Sequence, residues 1–297
     1  MHDEEIPAFL SDLGVPGIVD AHVHFLPDRL QAAVWAWFDR LTPAWPVTYR
    51  LPAADRLAVL ARAGVRFHTA LAYAHRPGML GWLNDHTLGL ARTERAVVPT
   101  FTVYPEPGVV EETRRCLGAG GRCVKVHLQV SAFDPTDPRL VGAWSLIEDA
   151  GIPVVLHAGA VEDGTGHESW CGPDPVVHLL ARFPSLRLVI AHLGAPDYDA
   201  FVDIAESHPG VWLDTAMIFT TPAHLGPSPV HLVDRLGALG DQVVFGSDFP
   251  TIPHPYGAQV EGLASLGLGD PWLAKVLWEN GVRLFGLGPE TSGEPEA

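Results

Sequence analysis

Eight short apolar, β-branched runs recur along the chain, and segments with helical periodicity separate them. The runs are Gly17–His24, Phe67–Tyr73, Ala96–Val103, Cys123–Leu128, Ile152–His157, Leu186–His192, Val211–Asp214 and Gln242–Ser247. Several are continuously apolar, as strands covered on both faces are. The helical segments are Ala53–Ala63, Met79–Arg92, Val109–Leu117, Leu140–Ala150, Pro175–Phe183, Tyr198–Ser207, Pro229–Leu239 and Tyr256–Leu266, with a ninth at Pro271–Phe285. Gly151 and Gly210 stand where a helix hands over to a strand, a usual stop signal.

This alternation predicts an α/β fold with a closed (β/α)8 barrel, the TIM-barrel architecture. The competing arrangement is an open doubly wound sheet. It would normally carry a Gly-rich phosphate turn after its first strand, where this chain has HVHFLP. No internal repeat or low-complexity linker interrupts the pattern, so residues 1–288 are expected to form one barrel domain. The polar, Pro- and Gly-rich stretch GPETSGEPEA predicts a frayed tail over 289–297. The connection Phe25–Pro52 is long and rich in aromatics (Trp35, Trp37, Phe38, Trp45, Tyr49). It is expected to be an insertion with a small core of its own; the alternative is an aromatic cap over the barrel mouth.

With 35 acidic against 19 basic residues, the chain carries a formal charge of −16. That argues against nucleic acid or an anionic membrane as partner and leaves a small-molecule substrate. No apolar run is long enough to span a membrane, and MHDEEIPAFL lacks the basic and apolar regions of a secretory signal. Three cysteines (Cys116, Cys123, Cys171) show no CxxC spacing, so the expected setting is the reducing cytoplasm.

In barrels of this type the chemistry lies at the C-terminal ends of the strands. Strand 1 ends in His22 and His24, which alternation places on one face. Strand 4 carries Lys125 and His127, strand 5 ends in His157, strand 6 in His192, and strand 8 runs into Asp248. One strand-end histidine is ordinarily just hydrogen-bonded. Five with an aspartate at the same end point to a metal, since imidazole nitrogen and carboxylate oxygen are ligands for zinc and similar ions. Three histidines and an aspartate would leave a position for water, whose pKa a bound Zn²⁺ lowers from ~15.7 to about 7. Asp248 could ligate with one oxygen and accept a proton with the other, with His192 beside the water or a substrate oxygen.

Four segments, DAHVH, VVLHAG, LVIAHLG and FGSDFP, follow one another from Asp20 to Pro250 and together resemble the amidohydrolase superfamily. The closing WENGVRLFGL is similar to the amidohydrolase-related branch, which includes aminocarboxymuconate-semialdehyde decarboxylase and related decarboxylases and hydrolases. The resemblance implies a divalent ion, with zinc the expected one, held by His22, His24, His157 and Asp248. It implies His192 as a catalytic histidine if one ion is bound. The alternative is two ions bridged by a carboxylated Lys125, with His192 as a ligand. One ion is preferred, because many members of this branch with a KxH pair on strand 4 hold one. Lys125 and His127 would then bind substrate, with a buried lysine–acid pair as the alternative for Lys125.

His75, after strand 2, is expected to line the substrate pocket; Thr215, His254 and Tyr256 are weaker candidates. His167 and Trp170, with Gly159, Gly164 and Gly166 as hinges, would form a lid. Asn280 should have a packing role. The expected activity is a metal-dependent hydrolase acting on a C–O, C–N or activated C–C bond through a metal-activated water. The alternative is a non-oxidative decarboxylase of the same family. A decarboxylase would need an arginine at the mouth to clamp the carboxylate; the only one close behind a strand end is Arg76, which is expected to be solvated, and this favours the hydrolase. A catalytically silent barrel is disfavoured by the complete ligand set. A homodimer is implied by the resemblance alone.

Overall fold

The computed structural model describes residues 1–41, 45–160, 167–220 and 226–288. In chain order these form α1 (Ile6–Leu13), β1 (Ile18–Asp20), α2 (Asp28–Phe38), α3 (Ala53–Arg62), β2 (Val65–Thr69), α4 (Leu80–Thr93), β3 (Val97–Val98) and β4 (Thr100–Thr102). There follow α5 (Val109–Gly118), β5 (Cys123–His127), α6 (Leu128–Ser131), α7 (Val141–Ala150), β6 (Pro153–His157), α8 (Pro173–Arg182) and β7 (Arg187–Ile190). The chain closes with α9 (Tyr198–Ser207), β8 (Val211–Asp214), α10 (Val233–Ala238), β9 (Val243–Val244), α11 (Gly257–Ala264), α12 (Asp270–Ala274), a π-helical turn at Lys275–Glu279, and α13 (Asn280–Phe285). No helix among the described residues is long and apolar enough to cross a membrane. The tail 289–297 and the hinge glycines Gly164 and Gly166 lie outside the described residues.

All strand pairs are parallel, and the order follows the sequence: β1-β2-β3 in one sheet, β4 to β9 in the other. The expected single strand Ala96–Val103 is divided because Pro99 has no N–H to give to a ladder. Its carbonyl still accepts from Arg122 N at 2.8 Å, so β3 and β4 act as one barrel strand and the total is eight. The ring closes between β9 and β1. Ala21 N donates to Phe245 O (2.9 Å), Asp248 N to His22 O (2.7 Å) and His24 N to Phe249 O (2.8 Å), around a parallel bridge of Val23 with Phe249. The molecule is a (β/α)8 barrel.

Alternation along each strand separates two cores. Val19, Phe67, Val98, Cys123, Val155, Val189, Trp212 and Val244 fill the barrel, and Leu284 and Phe285 of α13 join them. Ile18, Val97, Val124, Val154, Leu188 and Val243 face outward and pack beneath the helices, and Val65 joins them across the register shift between β1 and β2. Each fully buried large apolar side chain contributes about 1.5–3 kcal/mol. Asn280 has the packing role expected of it: buried, it donates to the carbonyls of Gly240 and Val243, both at 2.7 Å.

Three helices are absent from the segments expected above: α1, α2 and the single turn α6 after β5. α1 is short, starts with a proline in its first turn and stops at Gly14, whose φ is +75°. α2 lies inside the aromatic insertion, and its burial is slight. The insertion does form a small aromatic cluster, with Trp37–Phe38 and Phe38–Trp45 ring centroids 4.9 and 5.3 Å apart. It is also fastened to the loop after β9: Trp45 Nε1 donates to Thr251 O (2.8 Å), and Tyr49 packs on Phe249 at 4.8 Å.

His68 of β2 faces outward, stacked on Phe25 at 5.4 Å, and burial pushes its imidazole from 6.5 down to about 4. The unfolded chain therefore binds this proton first as pH falls. Stability is lost between pH 6.5 and 4 and levels off once the folded state also titrates. The 2.5-unit difference is worth about 3 kcal/mol at pH 4. His68→Gln should remove that share of the acid sensitivity, read from denaturant unfolding at pH 7, 5.5 and 4; parallel curves for the two proteins would refute it.

Candidate metal centre

At the C-terminal mouth of the barrel, the strand ends bring His22, His24, Lys125, His127, His157, His192, Asp214 and Asp248 together. Rings of His22 lie 5.2 Å from His24 and 4.9 Å from His192; His157 lies 5.1 Å from His192 and 3.9 Å from His127, stacked on it. Among the described residues, two sets have ligand atoms within 4.8 Å of one another: His22, His24 and Asp248, and His22, His192 and Asp214. His157, expected beside the first set, stands against His127, its neighbour in the β5–β6 register.

The hydrogen bonds fix which nitrogen each imidazole offers. His22 Nδ1 donates to Asp214 Oδ2 at 2.8 Å, and His24 Nδ1 to Leu71 O at 3.1 Å. Both Nε2 atoms are thereby left bare, facing Asp248 Oδ1 at 3.7 and 3.1 Å. Ligands each about 2.1 Å from one tetrahedral ion stand about 3.4 Å apart, so the spacing of this set fits a divalent cation. The carboxylate behind His22 is the outer support that metal-binding histidines ordinarily have. His192 is oriented alike: Nδ1 donates to Ala216 O at 3.0 Å, and Nε2 lies 3.9 Å from the other oxygen of Asp248.

The electrostatics agree with this donor set. Burial, reinforced by Lys125, holds His22 and His127 well below the usual imidazole range; burial and His127 do the same for His157. All three are neutral, as ligands must be. For Asp248, burial alone would raise the carboxyl. The imidazoles of His24, His22 and His192 around it outweigh that cost and keep Asp248 well below the usual carboxylate range. Burial lowers Lys125 to about 8, opposed by Asp214 and Asp248. Its Nζ stands 3.2 Å from His22 Nε2, on the lone pair an ion would take.

Local backbone strain shapes the site. His192 (φ 55°), Leu193 (φ 49°) and Asp248 (φ 63°) occupy the left-handed region, which costs a non-glycine residue of order 1 kcal/mol or more. Asp214 Oδ1 pays for part of this by accepting from His192 N at 2.8 Å and Ala216 N at 3.1 Å. Gly246 has no side chain because a Cβ there would come 2.9 Å from His22 Cβ. Gly159, a candidate hinge, is instead required for close packing: its Cβ would lie 1.7 Å from Ala195 O.

Three residues at the site were not expected as functional. Asp214, fully buried, ends β8 and holds two of the histidines; an acid closing an apolar strand was the available signal. Tyr73 flanks the mouth, 5.9 Å from His24 and 5.0 Å from His127, and burial raises its phenol well above the ordinary value. Asp20 lies behind the ligands: Oδ1 accepts from His22 N (3.0 Å) and Ser247 N (3.1 Å), and Oδ2 from Tyr256 OH (2.7 Å). Burial raises its carboxyl to about 7. Tyr256, expected to line the pocket, is thus fully buried behind the site. His127 Nδ1 accepts from Val130 N at 3.4 Å at the start of α6. His75 is half-buried, and among the described residues no hydrogen bond or ring contact ties it to the cluster.

A protein-family model described as amidohydrolase matches residues 19–287. A search of curated proteins finds no match. Among solved structures, an uncharacterised TIM-barrel protein from Bordetella bronchiseptica superposes with a TM-score of 0.72 at 20% identity, covering 94% of this chain and 100% of that one. The 2,6-dihydroxybenzoate decarboxylase from Rhizobium gives 0.66 at 17% identity, with 92% and 99% covered. A putative 2-pyrone-4,6-dicarboxylic acid hydrolase from Pseudomonas putida gives 0.62 at 20% identity, with 91% and 98% covered. At these identities the superpositions establish the shared fold.

Proposed function

Since the chain belongs to the amidohydrolase family, we propose that it is a metal-dependent hydrolase of a small organic substrate, with His22, His24 and Asp248 holding one divalent ion. The observation that carries this reading is the division of Asp248. One oxygen faces the two bare Nε2 atoms, and the other faces His192. His157 would complete the ligand set by a turn of its side chain away from His127. When bound, the ion supplies Lewis-acid polarisation of a substrate oxygen and a water of lowered pKa.

The rest is the work of the chain. Asp248, held ionised, receives the proton of the attacking water through the oxygen that faces His192. His192, its Nδ1–H committed to Ala216 O, has only Nε2 to offer, and so hydrogen-bonds the reacting group from one side. Lys125 and His127 would orient the substrate, with the Tyr73 phenol, still protonated at neutral pH, as a further donor. Cytoplasmic residence agrees with the three free cysteines.

The alternative is carbon–carbon bond cleavage with loss of CO2, an activity in the name of the Rhizobium structure. It needs a grip on a carboxylate. Arg76, the arginine that follows most closely behind the C-terminal end of a strand, is exposed. The test is an activity panel on zinc-loaded protein: esters, lactones and amides on one side, CO2 release from aromatic carboxylic acids on the other. Hydrolysis without CO2 release is expected, together with about one equivalent of divalent ion per chain. CO2 release alone would overturn the hydrolase, and protein that takes up no ion would overturn the site.

A further inference from the structure

A second polar cluster lies outside the barrel, beneath the insertion. Phe67 points into the barrel, so His68 points out, and Phe25 stacks on His68. The Arg56 guanidinium of α3 sits over the Phe25 ring at 4.9 Å and near the Trp35 ring at 5.9 Å. Its Nη1 donates to Gln31 Oε1 at 3.1 Å. Arg56 and Gln31 are each 1% exposed. Three buried donors here have no acceptor: Arg56 Nε, Gln31 Nε2 and Trp35 Nε1. No carboxylate among the described residues pairs with this guanidinium; Asp28 acts on it only at longer range.

We propose that Arg56, Gln31 and Trp35 form a buried site for a small monovalent anion, chloride or the carboxylate of a small acid. A buried cation without a counter-charge is costly, and a buried donor without an acceptor adds to that cost. All three orphaned atoms are donors, so the missing partner is an acceptor. Water would satisfy part of the hydrogen bonding and none of the charge. A monoanion satisfies both, beside a guanidinium that the Phe25 and Trp35 rings flank. The site joins α2 to α3 and to Phe25, the residue that follows His24. Its occupant thus anchors the insertion against the barrel.

Thermal unfolding of the full chain, at fixed ionic strength, tests this with sodium chloride, sodium formate and sodium gluconate. Chloride or formate should raise Tm saturably, by about 3 °C at ten times the dissociation constant, while gluconate, too large to enter, should not. Whichever small anion acts at lower concentration is the better occupant. Arg56→Met should abolish the effect. Gln31→Leu, which keeps the cation, should weaken binding several-fold. A crystal grown with bromide should show an anomalous peak among the three donors. Equal effects of all three salts, an Arg56→Met protein with an unchanged salt response, or an ordered water at the bromide position would each overturn the site.

Discussion

Asp248→Asn should lower kcat/KM for any substrate of the panel by about 10²- to 10⁴-fold, the usual weight of a positioned general base, while the ion content stays close to one per chain. Asparagine keeps an oxygen for the position facing His22 and His24. It also tolerates the left-handed backbone found at 248 better than most residues, so the fold should survive. What it lacks is a second oxygen able to take a proton on the side of His192. Steady-state kinetics beside elemental analysis reads both quantities. Activity within threefold of wild type would remove Asp248 from proton transfer, and loss of the ion would make it a ligand first.

Asp214→Asn should weaken divalent-ion binding by about 10- to 100-fold, as changes behind metal-binding histidines do. The new side-chain oxygen can still accept from His192 N and Ala216 N. The new NH2 then faces His22 Nδ1, 2.8 Å away in the native protein, and two donors oppose one another. His22 escapes by moving its proton to Nε2, the atom the ion needs. Competition with a chromophoric chelator measures the affinity. An unchanged value would reduce Asp214 to a packing residue.

The barrel was legible in the sequence because strands buried on both faces leave long apolar marks, and those marks recurred between helical segments. Val211–Asp214 and Tyr198–Ser207 have the expected bounds. Strand 8 shrinks from Gln242–Ser247 to Val243–Val244 because the chain turns early to present Asp248. Histidines advertise themselves at strand ends, so the mouth was legible too. Asp214 was not, because a single acid after VWL reads like the start of a turn, and Thr215 beside it looks the better pocket candidate. Arg56 was hidden for another reason. An arginine in an amphipathic helix looks like a solvated face until the insertion is seen to cover it.

The closure of the ring has a further consequence. His22 and Asp248 hydrogen-bond through their own backbones, as do His24 and Phe249. The residues that present the candidate ligands are therefore also the clasp between the first and last staves of the barrel. Binding chemistry and architectural integrity are inherited as one unit at this seam. Remodelling the loops of either stave to adjust coordination would spring the barrel open, whereas exchanging side chains on an unmoved backbone would not. Evolution and engineering alike are left to vary the rim and to keep the clasp.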